Sequence, residues 1–405
     1  MVRSAHGVLW PSQSRLVAQS SHSPKPRRSV IGQAMRWVCL TGVVGCFAGS
    51  AAFAHEPTAH EPVSLTTTAA ESRHLETFER QILTEEYYSE GIGWGDLSGD
   101  GSPDVVYGPH WYEGPDFTKA REIYPAKPQN RQGYSDHFFH WVRDFNGDGL
   151  GDVLIVGFPG TPSYVYENPG EAGWDQSWPR HEVIDSVGNE APQFVDLVGD
   201  DAPELVFTHN GRYAYAAPKA NDPFGGWEIV RISGEAAPAQ FGHGLGVGDV
   251  DGDGRQDVLC KTGWYQQPEV LGGEWPFHPV TFAGPGGADM FVEDCDGDGD
   301  ADIITSLAAH EFGLAWYEQI IEGGERRFEQ HLIMGNKPED NRYGVLFSEL
   351  HSVAMADIDG DGLRDIVTGK TYWSHHMQSP MWDAGAVVYW FRHVIGEDGS
   401  VDWVP

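Results

Sequence analysis

Short apolar runs alternate with Asp/Gly-rich segments along most of the chain, and no long stretch spaces its apolar residues for a helix. One unit recurs six times, beginning at Asp96, Asp144, Asp196, Asp249, Asp294 and Asp357, at steps of 48, 52, 53, 45 and 63 residues. Each unit reads as four strands. A short apolar strand (Leu245 to Gly248) precedes an Asp/Gly loop, and a β-branched strand follows it, as in Asp152 to Ile155 or Asp365 to Val367. An aromatic strand comes next, often with a Pro turn after it: Trp111-Tyr112, Tyr166-Glu167-Asn168-Pro169, Trp264-Tyr265 and Trp316-Tyr317. The last strand carries a basic or aromatic residue and then aliphatics, as in Trp178 to Ile184. Periods of this size belong to propellers and solenoids, and four strands per period is a propeller blade. The expected fold is therefore an all-β propeller over 76–405 with six visible blades.

The two ends carry separate expectations. Phe78 to Leu83 resembles an isolated fourth strand of the kind that closes a propeller ring, whereas Val401 to Pro405 looks like the start of another fourth strand. A seven-bladed ring with its last blade truncated is the other reading.

Calcium takes six to eight hard oxygens on a sharply curved loop, with Gly where side chains would obstruct the turn. The loops Asp249/Asp251/Asp253/Asp257, Asp294/Asp296/Asp298/Asp302 and Asp357/Asp359/Asp361/Asp365 place carboxylates at positions 1, 3, 5 and 9. Asp144/Asn146/Asp148/Asp152 and Asp96/Ser98/Asp100/Asp104 replace one carboxylate by a neutral oxygen. The third unit, Asp196/Val198/Asp200/Glu204, loses a ligand and a Gly and is expected to bind weakly or not at all. An EF-hand fails on spacing, because position 12 is Tyr107, Ile155 or Cys260, inside strands, rather than Glu. About five structural calcium sites follow, and the ion should contribute to folding because each carboxylate cluster repels itself.

These units resemble the FG-GAP/VCBS repeat family over roughly the whole of 76–405. The resemblance implies a calcium-binding propeller and says little about activity, since the family hosts adhesion, scaffolding and enzymes.

Charge narrows the partners. With 26 basic and 60 acidic residues the net charge is -34, so nucleic acid and anionic membranes are excluded as partners. Residues 1–54 contain six basic residues, no acidic one, and an apolar run ending at Ala52-Phe53-Ala54. That segment reads as a signal peptide cut after Ala54, with initiation at Met35 as a shorter version. Arg27-Arg28 loosely fits a twin-arginine signal, and Val43 to Cys46 a lipoprotein box. The mature chain is thus expected to be exported without a transmembrane anchor, with 55–75 as a flexible leader. Cys260 and Cys295 sit beside different Asp loops and read as two separate thiols.

Blade geometry locates the candidate chemistry. If each Asp loop joins two antiparallel strands at one face, the residues before the first and after the second strand meet at the opposite face. Before first strands lie Glu90, His137, His140, Glu190, His243, Asp289 and His351; after second strands come His110, His209, Lys261, His310, Glu311, Lys370, His375 and His376. His243, His351, His310 and Asp289 form a donor set suited to zinc, manganese or iron, and Lys261, Lys370 or a histidine can act as base or acid. Trp111, Tyr112, Trp264, Trp316, Tyr372 and Trp373 offer aromatic faces of the kind sugar rings use, although the blade core is the expected place for most of them.

A weaker similarity, to the propeller domain of aldos-2-ulose dehydratases, rests on Tyr166 to Pro169, on the Trp-x-x-His-type strands, and on Leu350-His351 ahead of Asp357 to Gly362. It implies elimination of water from keto sugars, which needs a base for the proton α to the carbonyl and a Lewis acid for the enolate. The cupin domain of that family has no counterpart here. Two function classes follow: a lyase on keto or acidic sugars with a second divalent metal at the His-rich face, or a non-catalytic adhesion or scaffold propeller binding glycan or protein.

Overall fold

The computed structural model describes Phe78 and residues 80–373 and 377–405; the segments 1–54 and 55–75, with His375 and His376, lie outside the described residues. Strands run as successive four-strand antiparallel meanders. The first is β1 (Gly93–Gly95), β2 (Asp104–Tyr107), β3 (His110–Glu113) and β4 (Lys119–Glu122); the second is β5 (His137–Arg143), β6 (Asp152–Gly157), β7 (Thr161–Tyr166) and β8 (Arg180–Val187). The third comprises β9 (Gln193–Val195), β10 (Glu204–His209), β11 (Arg212–Ala217) and β12 (Glu228–Arg231), and the fourth β13 (Leu245–Gly248), β14 (Asp257–Cys260), β15 (Gly263–Tyr265) and β16 (Phe277–Pro279). The fifth holds β17 (Asp289–Glu293), β18 (Asp302–Ser306), β19 (Leu314–Glu322) and β20 (Glu325–Met334), and the sixth β21 (Val353–Ala356), β22 (Asp365–Lys370), β23 (Val387–Ile395) and β24 (Val401–Val404). Among the described residues there is no α-helix.

The arrangement is propeller-like, with one departure from separate blades. The fourth and fifth meanders fuse into one eight-stranded sheet through parallel pairing of β13 with β17, Leu245 opposite Asp289 and Gly246 opposite Met290. Glycine permits this approach, since a methyl group on Gly246 would lie 2.3 Å from the Met290 carbonyl oxygen. The C-terminal residues form β24, which pairs with β23 and completes the last sheet. Residues 80–83 carry no strand, so the fourth strand expected over Phe78 to Leu83 does not form across them.

Apolar strands bury both faces because each meander packs against the next. Leu97, Val106 and Trp111 of the first meander meet Ile155, Tyr166 and Trp178 of the second, and four further clusters repeat this from the second meander to the sixth. That packing consumes Trp111, Tyr112, Trp264 and Trp316, all buried, and removes them as sugar-facing rings.

The Asp loops hold their curvature through their own carboxylates. Asp249 accepts N–H bonds from Gly252 and Gly254, both with left-handed backbones, and the other complete loops repeat the pattern. Asp257 at position 9 is fully buried and accepts from Val250 in the loop and Gln267 just after the third strand. The third loop keeps the same turn without its second Gly: Asp201 takes a left-handed φ of 68° and donates to Asp196 at 3.0 Å.

A clamp between meanders completes the frame, and sequence reading missed it. Gln319 Nε2 donates to the carbonyl of Val250, at position 2 of the preceding meander's loop, and to Ala301. Gln267 does the same to Leu197 and Gln256, and Asn168 to Leu97 and Gly151; His393 Nε2 bonds the Cys295 carbonyl. Each of these side chains lies two residues after an aromatic of the third strand (Tyr166, Tyr265, Tyr317 and Phe391), and only that recurrence marks it in sequence.

Candidate functional site

The face opposite the Asp loops collects donors from four meanders. Glu190 lies between β8 and β9, His243 between β12 and β13, His310 after β18, and His351 before β21. Parallel bridging of Asn189 with Gly242, and the Glu190 N–H bond to the Gly242 carbonyl at 2.8 Å, set Glu190 beside His243. Glu349 positions the other two histidines. Its N–H donates to Glu311 next to His310, its carbonyl accepts the His351 N–H at 2.7 Å, and its backbone is left-handed at φ 65°. A non-glycine residue pays for that conformation, and such strain clusters at functional sites.

The side chains converge closely. His243 Nε2 and His351 Nε2 are 3.1 Å apart, and Glu190 Oε2 lies 3.1 Å from the first and 2.9 Å from the second. His310 completes the group, its ring centroid 4.8 Å from that of His243 and 4.9 Å from that of His351. One nitrogen from each of the three histidines falls within a 4.8 Å set. Tetrahedral zinc with nitrogen ligands at about 2.0–2.1 Å needs donors about 3.3 Å apart, so the observed spacings are near what one ion would hold. Three imidazoles fit zinc, manganese or iron better than calcium, which prefers oxygen alone; Glu190 reaches His243 and His351 but does not join the three-histidine set.

The two lysines flank this group differently. Lys261 follows β14 and donates to the Pro285 carbonyl; a methyl on Gly286 would touch both Lys261 Cδ, at 3.4 Å, and His243 Cβ, at 2.8 Å. Lys370 ends β22 and is fully buried; burial lowers its pKa and the Glu349 charge opposes that shift. Asp289 leaves the expected metal set: its oxygens accept from Gln193 Nε2 at 3.1 Å and from the Val353 N–H at 3.2 Å, tying β9, β17 and β21 together.

Other expected face residues disperse. Glu90 accepts from Tyr87, His137 bonds Tyr124, and His140 is buried with its Nδ1 3.5 Å from Ser89. His209 pairs with Asp185 and His110 approaches Glu122 at 3.8 Å. Histidines also track the repeat away from this face: His278 stacks on Trp264 and bonds Gln266, and His331 stacks on Trp316 and bonds Glu318.

The Asp loops bring part of each expected carboxylate set together. Oxygens of Asp249/Asp251/Asp257, Asp294/Asp296/Asp302 and Asp357/Asp359/Asp361 come within 4.8 Å of one another. Asp253 and Asp298, expected as the position 5 ligands of the fourth and fifth loops, do not join these groups. Each carboxylate folds back on its own turn instead. Asp253 accepts the Arg255 N–H at 2.9 Å and pairs with the Arg255 guanidinium, and Asp298 accepts the Asp300 N–H at 2.8 Å. In the sixth loop Asp361 joins the group and Asp365 does not; the buried Asp365 accepts N–H bonds from Ile358 and His393. In each of these three loops three of the four expected carboxylates come together, and the fourth lies outside the group.

The first two loops, Asp96/Ser98/Asp100/Asp104 and Asp144/Asn146/Asp148/Asp152, bring no such carboxylate trio together among the described residues. Their neutral groups turn to neighbours, Ser98 Oγ donating to Asp96 and Asn146 Nδ2 to Asp148. Cys260 and Cys295 are separate buried thiols. A groove of about 680 Å³ lies between β20 and β24; its polar side chains already pair with one another, Glu318 with His331 and Arg342 and Tyr343 with Asp402.

No known sequence family and no curated protein matches the chain. Solved structures similar to it include an Agrocybe aegerita lectin that recognises non-reducing terminal N-acetylglucosamine, at 17% identity and TM-score 0.44 over 73% of this chain and 84% of that one. A Bacillus licheniformis rhamnogalacturonan lyase is similar at 15% identity and TM-score 0.32, over 70% of this chain and 55% of that one. The V. cholerae biofilm matrix protein Bap1 gives 17% identity and TM-score 0.32, over 64% of this chain and 37% of that one.

Proposed function

We propose that the chain is an exported, calcium-stabilised six-bladed propeller of the FG-GAP/VCBS type whose histidine face acts on carbohydrate as a metal-assisted lyase of keto or acidic sugars. The observation that carries the reading is the approach of Glu190 Oε2 to both His243 Nε2 and His351 Nε2, at 3.1 and 2.9 Å, with His310 beside them. Three meanders bring one imidazole each into a single set, a fourth brings Glu190 against two of them, and a fold alone does not require that. A divalent ion bound there would supply Lewis acidity towards a sugar oxygen. Around it the chain's own groups hold and move protons: Lys261 borders His243 at the rim, and Lys370 sits buried beside Glu349. The three oxygen-only loop clusters fit calcium and serve folding.

Turnover of a panel of keto and acidic sugars by the purified protein tests this. His243→Ala and His351→Ala should each abolish elimination while the calcium-dependent melt stays intact. Saturable glycan or protein binding without turnover would replace the lyase by a binding module.

A further inference from the structure

We infer that Arg392 is the resident cation of the sixth Asp loop, so that this loop holds calcium more weakly than the fourth and fifth loops do. The inference rests on the calcium reading above and refines it for one loop.

The third strand addresses each of these loops at a fixed place. The position 9 carboxylate accepts the backbone N–H of Gln267 in the fourth meander, of Gln319 in the fifth and of His393 in the sixth, at 2.9, 2.8 and 2.8 Å. Those bonds set the three loops in one register. The residues just before these donors, Gln266, Glu318 and Arg392, are therefore equivalent, and the matching position 3 carboxylates are Asp251, Asp296 and Asp359.

Each meander presents a different charge at that place. Gln266 Nε2 donates to Asp251, and Gln266 Oε1 bonds His278 Nε2 at 3.1 Å, so the fourth loop meets a neutral amide. Glu318 lines the same groove as Asp296 and pairs with His331 at 2.7 Å, so the fifth loop meets a further carboxylate. Arg392 sends Nε to Asp359 Oδ2 at 2.7 Å and Nη2 to Asp361 Oδ2 at 3.4 Å. Both aspartates belong to the trio that comes together in the sixth loop, and that loop is the one whose position 5 carboxylate joins its trio.

The other arginines near the loops sit differently. Arg255 pairs with Asp253, which lies outside the fourth trio, and Arg364 of the sixth loop pairs with Glu293, ahead of the fifth. Arg326 Nη2 reaches Asp251 through the backbone carbonyl, at 3.2 Å. Among the described residues, Arg392 is thus the one arginine that forms ion pairs with members of a trio.

A guanidinium stays charged at any pH the fold survives, and its planar fork engages two carboxylates at once. It offsets part of the negative charge that calcium needs, and calcium affinity follows ligand charge count. The ion must therefore displace Arg392, whose side chain is 44% exposed and can swing to water. The three loops rank fifth, fourth, sixth in affinity.

Equilibrium dialysis of the full chain against graded calcium chloride, with bound calcium read by atomic absorption, tests this ranking. Arg392→Gln installs the amide of the fourth meander and should add one calcium equivalent, which the wild type takes up only at a calcium concentration about tenfold higher. Glu318→Arg makes the reverse transplant and should lose one equivalent from the fifth loop, so the result does not hang on the folding of a single variant. If Arg392→Gln and the wild type fill with the same number of ions over the same concentrations, the inference is overturned and the calcium reading stands. No calcium uptake by any of the three proteins overturns both.

Discussion

Gln319→Leu removes the clamp between the fourth and fifth meanders while nearly keeping side-chain volume. Gln319 is 1% exposed, and its Nε2 donates to the Val250 carbonyl at 3.2 Å and to the Ala301 carbonyl at 2.7 Å. Leucine supplies neither bond, so two buried carbonyls lose a donor; each such loss costs about 1–3 kcal/mol, reduced here because the amide also leaves. The expected destabilisation is about 2–4 kcal/mol, a sizeable share of a total of about 5–15 kcal/mol. For an ordered body of roughly 320 residues, 1 kcal/mol lowers the melting temperature by about 1.5 °C, so the variant should melt about 3–6 °C earlier. Urea unfolding with and without the substitution gives the same quantity independently, and exposed Gln132→Ala serves as a control expected within about 0.5 kcal/mol of wild type. A Gln319→Leu midpoint indistinguishable from wild type would show that the clamp is a geometric coincidence.

Asp201→Gly should stabilise the protein by about 0.5–1 kcal/mol, because the exposed Asp201 holds a left-handed backbone that its counterparts give to Gly; a lower melting temperature would refute this. Burial holds His140 neutral, its pKa pushed down to about 3, and His137 likewise to about 4. The unfolded chain takes up these protons below about 6.5 and the fold does not, so stability is full above that pH and lost as pH falls. His140 alone should cost about 2 kcal/mol between pH 6.5 and 5, and His140→Asn should flatten that limb relative to wild type in urea midpoints against pH; an unchanged slope refutes it.

The sequence made the loops and the face legible for different reasons. Asp249, Gly252 and Gly254 announce their turn because only Gly takes those left-handed positions cheaply, and the same frame recurs downstream. Spacing does not say which three of the four carboxylates approach one another, since Asp253 and Asp298 lie outside their groups while Asp361 joins its own. His243, His310 and His351 were locatable because strand polarity alone dictates which end of each unit faces the Asp loops. Their convergence with Glu190, and the exclusion of Asp289, depended on side-chain reach across four meanders, which spacing does not encode. Trp264 and Trp316 follow the strand pattern and are buried, in line with a blade-core place for most of these aromatics. Histidine recurrence was double-edged, since His278 and His331 repeat as partners of buried tryptophans on outer strands. Glu349 carried no signal at all, because a left-handed backbone at a non-glycine residue is imposed by tertiary contacts.

The most direct measurement of the account is the metal content of protein purified without chelator, compared with that of the His243→Ala/His351→Ala double variant. The account predicts calcium in both, with about one equivalent of zinc, manganese or iron in the wild type that vanishes from the variant. Calcium alone in the wild type, or a transition metal retained by the variant, would contradict it.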